Sequence, residues 1–420
     1  MSTSRLRYAL LGLGSLAYTA LMFVWFSVPA WLAALSADFG LTSTQAGLLT
    51  GAVPLTYVPV ALFSGVVTDY VGPYRAIGTG LLLFGGAQVG RAAADTFPVL
   101  LALTVVVGFG ATTITFGLPK LVSEIFPPEE SGTPSSVYVV GSLAGTAAAF
   151  SLGRGVLGPA LGGWRPLFYY TGLAVLAYAV LWWVVVRWAP LEEVRHREPT
   201  GESEGEDEGE GEGATTDEDE AVLSVASLRR DVGRVFASPS MRLLVVVGVV
   251  YLLVVHGLQN WLATVLQSRG VDPTLAAMLV SGFVAAEAVG TLAVPTLSDR
   301  LGERGTVVAG CAALCFAGTA TLLVPGVPLA VPVVGALAVG LGVGGISPLV
   351  RMVPAELDEI GPELTGTAVG LVFAVGELGG FLGPFLVGVL YDLTGTYAAG
   401  LGVICVGCLA AVLAGHRLPV

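Results

Sequence analysis

Long apolar runs separated by short polar joints dominate this sequence. A run of about 20 residues with few charges has the length that spans a bilayer as a helix. The runs are continuously apolar rather than alternating, which argues against a membrane barrel, whose strands alternate lipid-facing and lumen-facing residues. Within the hydrocarbon every backbone N–H and C=O must be satisfied inside its own segment, so helices remain. Twelve runs can be marked, at about 6–34, 44–68, 76–95, 98–122, 134–159, 166–188, 242–266, 274–297, 305–325, 329–352, 365–390 and 397–415. The first is too long for a cleavable leader and has no clear cleavage site, so it reads as a retained helix.

Charge enters as a test of that count. Only 12% of residues are charged, and the formal net charge is −12. Residues 192–220 hold 14 acidic and 2 basic side chains, so the whole net charge belongs to that stretch and says nothing about a substrate. Placing both chain termini on the cytoplasmic side puts 15 of the 19 basic residues there, leaving Arg91, Arg154, Arg165 and Arg269 outside. This is the bias that the positive-inside rule demands. Lysine occurs once, at Lys120, against 18 arginines. That scarcity, with an acidic loop, looks halophile-like; GC-rich codon usage explains it equally well.

The connection between the second and third runs reads Gly65-Val66-Val67-Thr68-Asp69-Tyr70-Val71-Gly72-Pro73-Tyr74-Arg75, and Pro295-Thr296-Leu297-Ser298-Asp299-Arg300-Leu301-Gly302-Glu303-Arg304 follows 230 residues later between the eighth and ninth. Gly108-Phe109-Gly110 recurs as Gly340-Leu341-Gly342, and Gly132-Thr133 as Gly366-Thr367, at offsets of 232 and 234. A steady offset across three landmarks predicts two six-helix halves with a binding site between them near the midplane. The expected organisation is a six-helix bundle over 1–188, a cytoplasmic acidic linker over 189–241 and a second bundle over 242–420. Glycine alternates with acid from Gly201 to Gly213, a composition that offers no core to order it. Residues 222–237 read as an amphipathic surface helix, with Val225, Leu228, Val232 and Phe236 on one face and Arg229, Arg230 and Arg234 meeting headgroups.

The paired connection motif resembles the loop signature of the major facilitator superfamily, Gly-x-x-x-Asp-Arg-x-Gly followed by basic residues. The first copy matches at Gly65, Asp69, Gly72 and Arg75, and the second at Asp299, Arg300, Gly302 and Arg304. The resemblance implies an all-α integral membrane protein, with twelve transmembrane helices in two pseudo-symmetric six-helix bundles, that moves a small molecule by alternating access. It implies a gating role for both motifs, with Asp69 locking the inner end by bonding the start of the eleventh helix. Gly145 with Gly158-Pro159-Ala160-Leu161-Gly162-Gly163 resembles the fifth-helix motif of the superfamily's exchangers, with Arg154 in place of its middle glycine. Arg91, Gly108-Phe109-Gly110 and the run Leu118 to Pro127 resemble the cyanate-permease and nitrate-transporter branch, which implies a small anion.

Charged groups in lipid are costly, so each is a functional candidate. Glu287 sits midway along the eighth run and Glu377 midway along the eleventh; either is a candidate proton carrier or a partner for a cation. His256, Gln259 and Asn260 share one face of the seventh run, where Gly257 is a candidate point of unwinding. Arg91 is expected to pair with Asp95 at i+4. Arg154 either attracts anions or snorkels to the interface. Lys120 and Arg351 read as inner-gate or topology charges. Trp25 and Tyr57, with Tyr18, Phe26 and Tyr138, are candidate pocket walls that serve equally as packing.

No phosphate-binding loop for ATP is present, and the four cysteines lie in apolar runs without neighbouring histidines. The expectation is therefore a non-enzymatic, cofactor-free and metal-free secondary transporter of the plasma membrane. Its partners would be a small-molecule substrate and the lipid bilayer, with no nucleic acid, and it would be a monomer. A small, ion- or proton-coupled anion is the first reading of its cargo. A proton-coupled exporter of cationic or amphipathic compounds is the alternative, and a non-transporting receptor with a recruiting acidic loop the third.

Overall fold

The computed structural model of the chain describes residues 3–61, 71–127, 130, 132–191 and 225–419. Gly65, Asp69 and the acidic stretch lie outside them, so the expected lock at Asp69 does too. The regular elements among the described residues are all helices. The first half contains α1 (Thr3–Ala30), α2 (Leu32–Phe39), α3 (Ser43–Ala61), α4 (Pro73–Ala92), α5 (Phe97–Ile125), α6 (Gly132–Leu161) and α7 (Trp164–Trp188). After α8 (Val225–Ala237) the second half contains α9 (Pro239–Gln267), α10 (Pro273–Leu301), α11 (Arg304–Thr321), α12 (Ala330–Glu356), α13 (Gly361–Thr394) and α14 (Ala398–Gly415). Setting aside α2 and α8, these are the twelve transmembrane helices. Nine are long and apolar enough, taken singly, to cross a membrane. The described part of α3 ends at Ala61, and the glycine-rich α4 and short α11 complete the two sets of six by packing between longer neighbours.

Local chemistry sets the breaks. Pro29 lacks an N–H, and the helix yields at Trp31 (φ −110°, ψ 12°), so the first run divides into α1 and α2 rather than continuing. The Asp272 carboxylate caps α10 by accepting from the N–H groups of Thr274 and Leu275 at 2.9 and 3.0 Å. In α6 the hydrogen bonding widens to the π pattern over Ala149–Leu157. Pro159 follows and has no N–H to return to the carbonyl of Gly155, so the extra residue is accommodated as a π-bulge. Gly72 and Gly302, equivalent positions of the repeated motif, both turn the chain with positive φ, at 81° and 68°.

The duplication is visible in the packing. A Cβ on Gly108 of α5 would meet Thr56 of α3 at 2.4 Å, and one on Gly340 of α12 would meet the Phe283 carbonyl of α10 at 2.3 Å. Gly110 likewise lies against Gly80 of α4, and Gly342 against Cys311 of α11. The same two glycines in each half thus admit the same two neighbours. Small residues that let backbones approach are how helices hold together where lipid removes the hydrophobic drive.

The halves meet at the end of the molecule remote from the termini. There α3 lies against α13, and Gly47 and Gly388 leave no room for side chains beside Pro384 and Ser43. The Asp392 carboxylate of α13 caps the N-terminus of α3: it accepts from Ser43 N at 3.0 Å, Thr44 N at 2.7 Å and Thr44 Oγ1 at 2.6 Å. A second seam joins α6 to α10, where Ser281 Oγ donates to the Ala147 carbonyl at 2.9 Å and Gly155 faces Met278 and Thr274.

α8 differs in part from the expected amphipathic reading. Among its described side chains Val235 is buried against α9 and α13, while Phe236 is exposed beside Arg234. Val232 packs against the core as expected, and Val235 rather than Phe236 continues its face.

A helix cap of this kind contributes about 0.5–2 kcal/mol. Asp392→Ala is therefore expected to speed amide exchange at Ser43 and Thr44 by roughly tenfold, 1.4 kcal/mol corresponding to a factor of ten. Hydrogen–deuterium exchange of the detergent-purified protein checks this; Asp392→Asn, which keeps one acceptor, should fall between.

Candidate functional site

Helix α9 supplies the first side of a mid-membrane cleft. It runs unbroken through His256, Gln259 and Asn260, all buried. Gly257 does not unwind it; the missing side chain instead admits the Gly383 backbone of α13, 3.7 Å from where a Cβ would stand. Gln259 Nε2 donates to Glu287 Oε2 at 2.7 Å, tying α9 to α10. Asn260 Nδ2 donates to the His256 carbonyl at 2.6 Å.

Helix α13 supplies the second side. Gly379 and Gly383 bring its backbone against the carbonyls of Val249 and Leu253. Gly380 marks the meeting point of three helices. A Cβ there would lie 2.9 Å from Glu377 Oε2, 3.0 Å from His256 Cδ2 and 3.2 Å from Pro54 Cβ. Glu377 and His256 are thus neighbours, and α3 of the other half adjoins them.

The first half contributes an aromatic wall. The Trp25 ring lies nearly parallel to His256, with centroids 5.5 Å apart and planes at 11°, and to Phe26 at 5.4 Å. Tyr57 leans on Trp25 at 5.9 Å, and its hydroxyl pairs with Thr115 Oγ1 at 2.9 Å. Phe116 stands 6.1 Å from Tyr57. The Trp25–His256 stack joins the halves at the level where the carboxylates sit.

Arg351, read from the sequence as an inner-gate or topology charge, stands near the end of α12. Helical side chains lean toward the N-terminus of their helix, which in α12 is toward the membrane middle. Arg351 Nη1 accordingly donates back one turn to Ser347, to its carbonyl and its Oγ, both at 2.7 Å. The guanidinium carbon lies 4.4 Å from the centre of the Phe373 ring. The Phe373 ring under Arg351 lies one turn before Glu377 on α13, so the guanidinium and that carboxylate share one face of the helix. Arg351 itself is exposed.

The other candidates sit elsewhere. Arg91 does not pair with Asp95. Its helix ends at Ala92, so Asp95 has left the helical register and instead faces Arg165 at 3.7 Å. Arg91 turns into the first bundle, donating to Thr104 Oγ1, the Val24 carbonyl and Gln88 Oε1 at 3.1–3.3 Å. Arg154 stacks on Trp31 at 3.9 Å, with Asp272 near enough to attract it, at the remote seam rather than in the cleft. Arg304 holds the second motif together: it contacts Asp299 at 2.6 Å and grips Glu356 of α12 through Nε and Nη2 at 3.0–3.2 Å. Gly302 makes the turn between them, while Arg300 and Arg75 are exposed. Sequence reasoning missed Ser347 and Phe373. The i,i+4 spacing of Ser347 and Arg351 was the one available signal.

Comparison with known proteins agrees with this architecture. The family model described as Major Facilitator Superfamily matches residues 14–384. The 3-(3-hydroxy-phenyl)propionate transporter of Escherichia coli is 28% identical over 390 residues, which is 90% of this chain and 87% of that protein. The quinolone resistance protein NorA of Staphylococcus aureus is 29% identical over 148 residues, 34% of this chain and 36% of that one. Among solved structures, a bacterial homologue of the human lysosomal transporter Spinster, inward-facing and occupied, superposes with a TM-score of 0.69 at 18% identity. That match covers 98% of this chain and 94% of the other. The nucleoside transporter NupG, in a mutant form, gives 0.71 at 14% identity, covering 97% and 100%.

Leaving a buried polar group without its partner costs about 1–3 kcal/mol, whereas an isosteric amide keeps the bond. Glu287→Leu, which strands Gln259, should therefore lower the apparent unfolding temperature in detergent clearly more than Glu287→Gln does. Equal losses would show that the Gln259 bond carries no weight.

Proposed function

Because the chain belongs to the major facilitator superfamily, we propose that it is a secondary transporter carrying an organic anion together with a proton. Arg351 is the observation behind the choice of charge: a guanidinium at the cleft, oriented by Ser347 and backed by Phe373, presents its remaining donors to a carboxylate. The aromatic wall of Trp25, Tyr57 and Phe116 suits an apolar body on that anion. The whole-length likeness to a transporter of a phenylpropionate favours the same class.

Glu377 is the proton carrier in this reading. While ionised it competes with a substrate carboxylate for the field of Arg351; once protonated it removes one negative charge and leaves that field to the substrate. Proton and anion then favour each other's binding, and by linkage the effect is reciprocal. Glu287, held by Gln259, is the second acid of the cleft. Alternating access would open and close the two ends by rocking residues 1–188 against 242–420 about this site. With both termini on the cytoplasmic side of the plasma membrane, the seams at Asp392 and Ser281 close the outer end. The second motif stands at the inner end, where Arg304 bridges Asp299 and Glu356.

A second reading, export of cationic or amphipathic compounds, draws on the two buried carboxylates and the partial likeness to NorA. Ligand-dependent thermal stabilisation separates the two, since a ligand of the folded state stabilises by RT ln(1 + [L]/Kd). Stabilisation by 3-phenylpropionate at fixed salt, lost in Arg351→Gln, is expected. Stabilisation by a cationic dye instead, lost in Glu377→Gln, would move the assignment to export. In proteoliposomes, Glu377→Gln should retain exchange of the anion while losing its response to an imposed pH gradient. An undiminished response would remove Glu377 from the coupling.

A further inference from the structure

A cavity of about 790 Å³ opens in the second half, at the end remote from the termini. Its size falls in the range of about 300–1,000 Å³ usual for ligand cavities. Three joints between helices form it. The joint from α9 to α10 supplies Arg269 and Asp272, that from α11 to α12 supplies Leu322 and Leu329, and that from α13 to α14 supplies Tyr397. No described residue of the cleft or of the first half lines it, so the cavity belongs to one bundle alone.

Charge narrows what the cavity can receive. Its lining has one cation and one anion. Asp272 is already engaged: its carboxylate accepts from Thr274 N and Leu275 N at 2.9 and 3.0 Å, and it attracts Arg154. Arg269 is not neutralised. It donates to the carbonyls of Leu322 and, at 3.5 Å, Val324, and no carboxylate pairs with it among the described residues. Those two carbonyls hold the guanidinium in place and leave other donors over. A guanidinium so held recognises phosphate through paired hydrogen bonds.

The walls narrow it further. Most of the lining is aliphatic, and Leu275 and Leu329 are 43% and 40% exposed there. Tyrosine is a residue of the headgroup level, and Tyr397 places the cavity at that depth. A small inorganic anion would answer Arg269 and leave the leucines facing water. A zwitterionic headgroup would bring a second cation, to which only the engaged Asp272 could respond.

We infer that this cavity binds an anionic phospholipid of the leaflet at that end, with Arg269 on the phosphate and Leu275 and Leu329 against the acyl chains. The leaflet is the outer one in the orientation proposed above. The inference is independent of the cargo.

The test is native mass spectrometry of the full-length, detergent-purified protein incubated with equimolar phosphatidylglycerol and phosphatidylcholine. Bonds to a charged group discriminate by about tenfold or more, so phosphatidylglycerol should be retained about tenfold over phosphatidylcholine. The ratio should fall toward one in Arg269→Gln. It should also fall in Leu329→Glu, which sets a carboxylate at the site and serves where Arg269→Gln does not fold. Arg242→Gln, exposed at the opposite end of α9, should leave it unchanged. A ratio near one in the unaltered protein would overturn the site. A preference that survives both cavity variants, or that Arg242→Gln removes as fully, would overturn the assignment to this cavity. Complete displacement of the lipid by octanoate at equal concentration would make a free amphipathic acid the occupant and overturn the lipid.

Discussion

Helix α13 touches the backbone of α9 on one side and that of α3 on the other, and the rest of the architecture depends on this double contact. In lipid the apolar surfaces of two helices gain little from meeting, so contact has to come from close fit and from polar groups. Small residues along α13 supply the fit, and Asp392, one of its three acidic residues, supplies a polar contact to α3. Glu377 lies at the midplane beside His256, while Asp392 closes the remote end on the first turn of α3. One helix thus links the substrate level to the seal between the halves.

Two buried or cleft-facing arginines show how similar residues acquire different uses. Arg91 is enclosed by α1, α4 and α5 and donates to three neutral acceptors. It braces the first bundle and is fully enclosed. Arg351 is held by the carbonyl and hydroxyl of Ser347 on its own helix and by the Phe373 ring, and it stays exposed. Accessibility, rather than depth along the sequence, is what makes it the proposed pole and Arg91 a brace.

The repeated motif takes on a modest mechanical sense. Gly302 turns the chain, and Arg304 then clamps the ends of α10, α11 and α12 through Asp299 and Glu356. This makes three helices of the second half move together at the end that bears the termini. Arg154 makes a comparable tie at the other end, where Trp31 and Asp272 come from different halves. The π-bulge around it bends α6 along the seam with α10.

The sequence by itself, through run length, marked the twelve membrane spans and their pairing into two halves, though not the break that divides the first run into α1 and α2. The bilayer forbids unsatisfied backbone, so run length alone marks a span, and the glycine landmarks recur because equivalent helices must approach equally closely in each half. It also singled out Glu287, Glu377, His256, Gln259, Trp25 and Tyr57, since a polar or large aromatic group at mid-run stands out against apolar surroundings. Only the tertiary structure decided which of these meet. Arg351 lies five residues from the end of its helix and looked peripheral, until its lean along α12 carried the charge inward. Arg91 and Asp95 looked like a pair until the helix ended between them. Asp392 gave no local signal at all, because the backbone it caps belongs to a segment 348 residues away. Spacing along one helix can be read from a list of residues. The distance between two helices depends on how closely every side chain between them allows their backbones to approach.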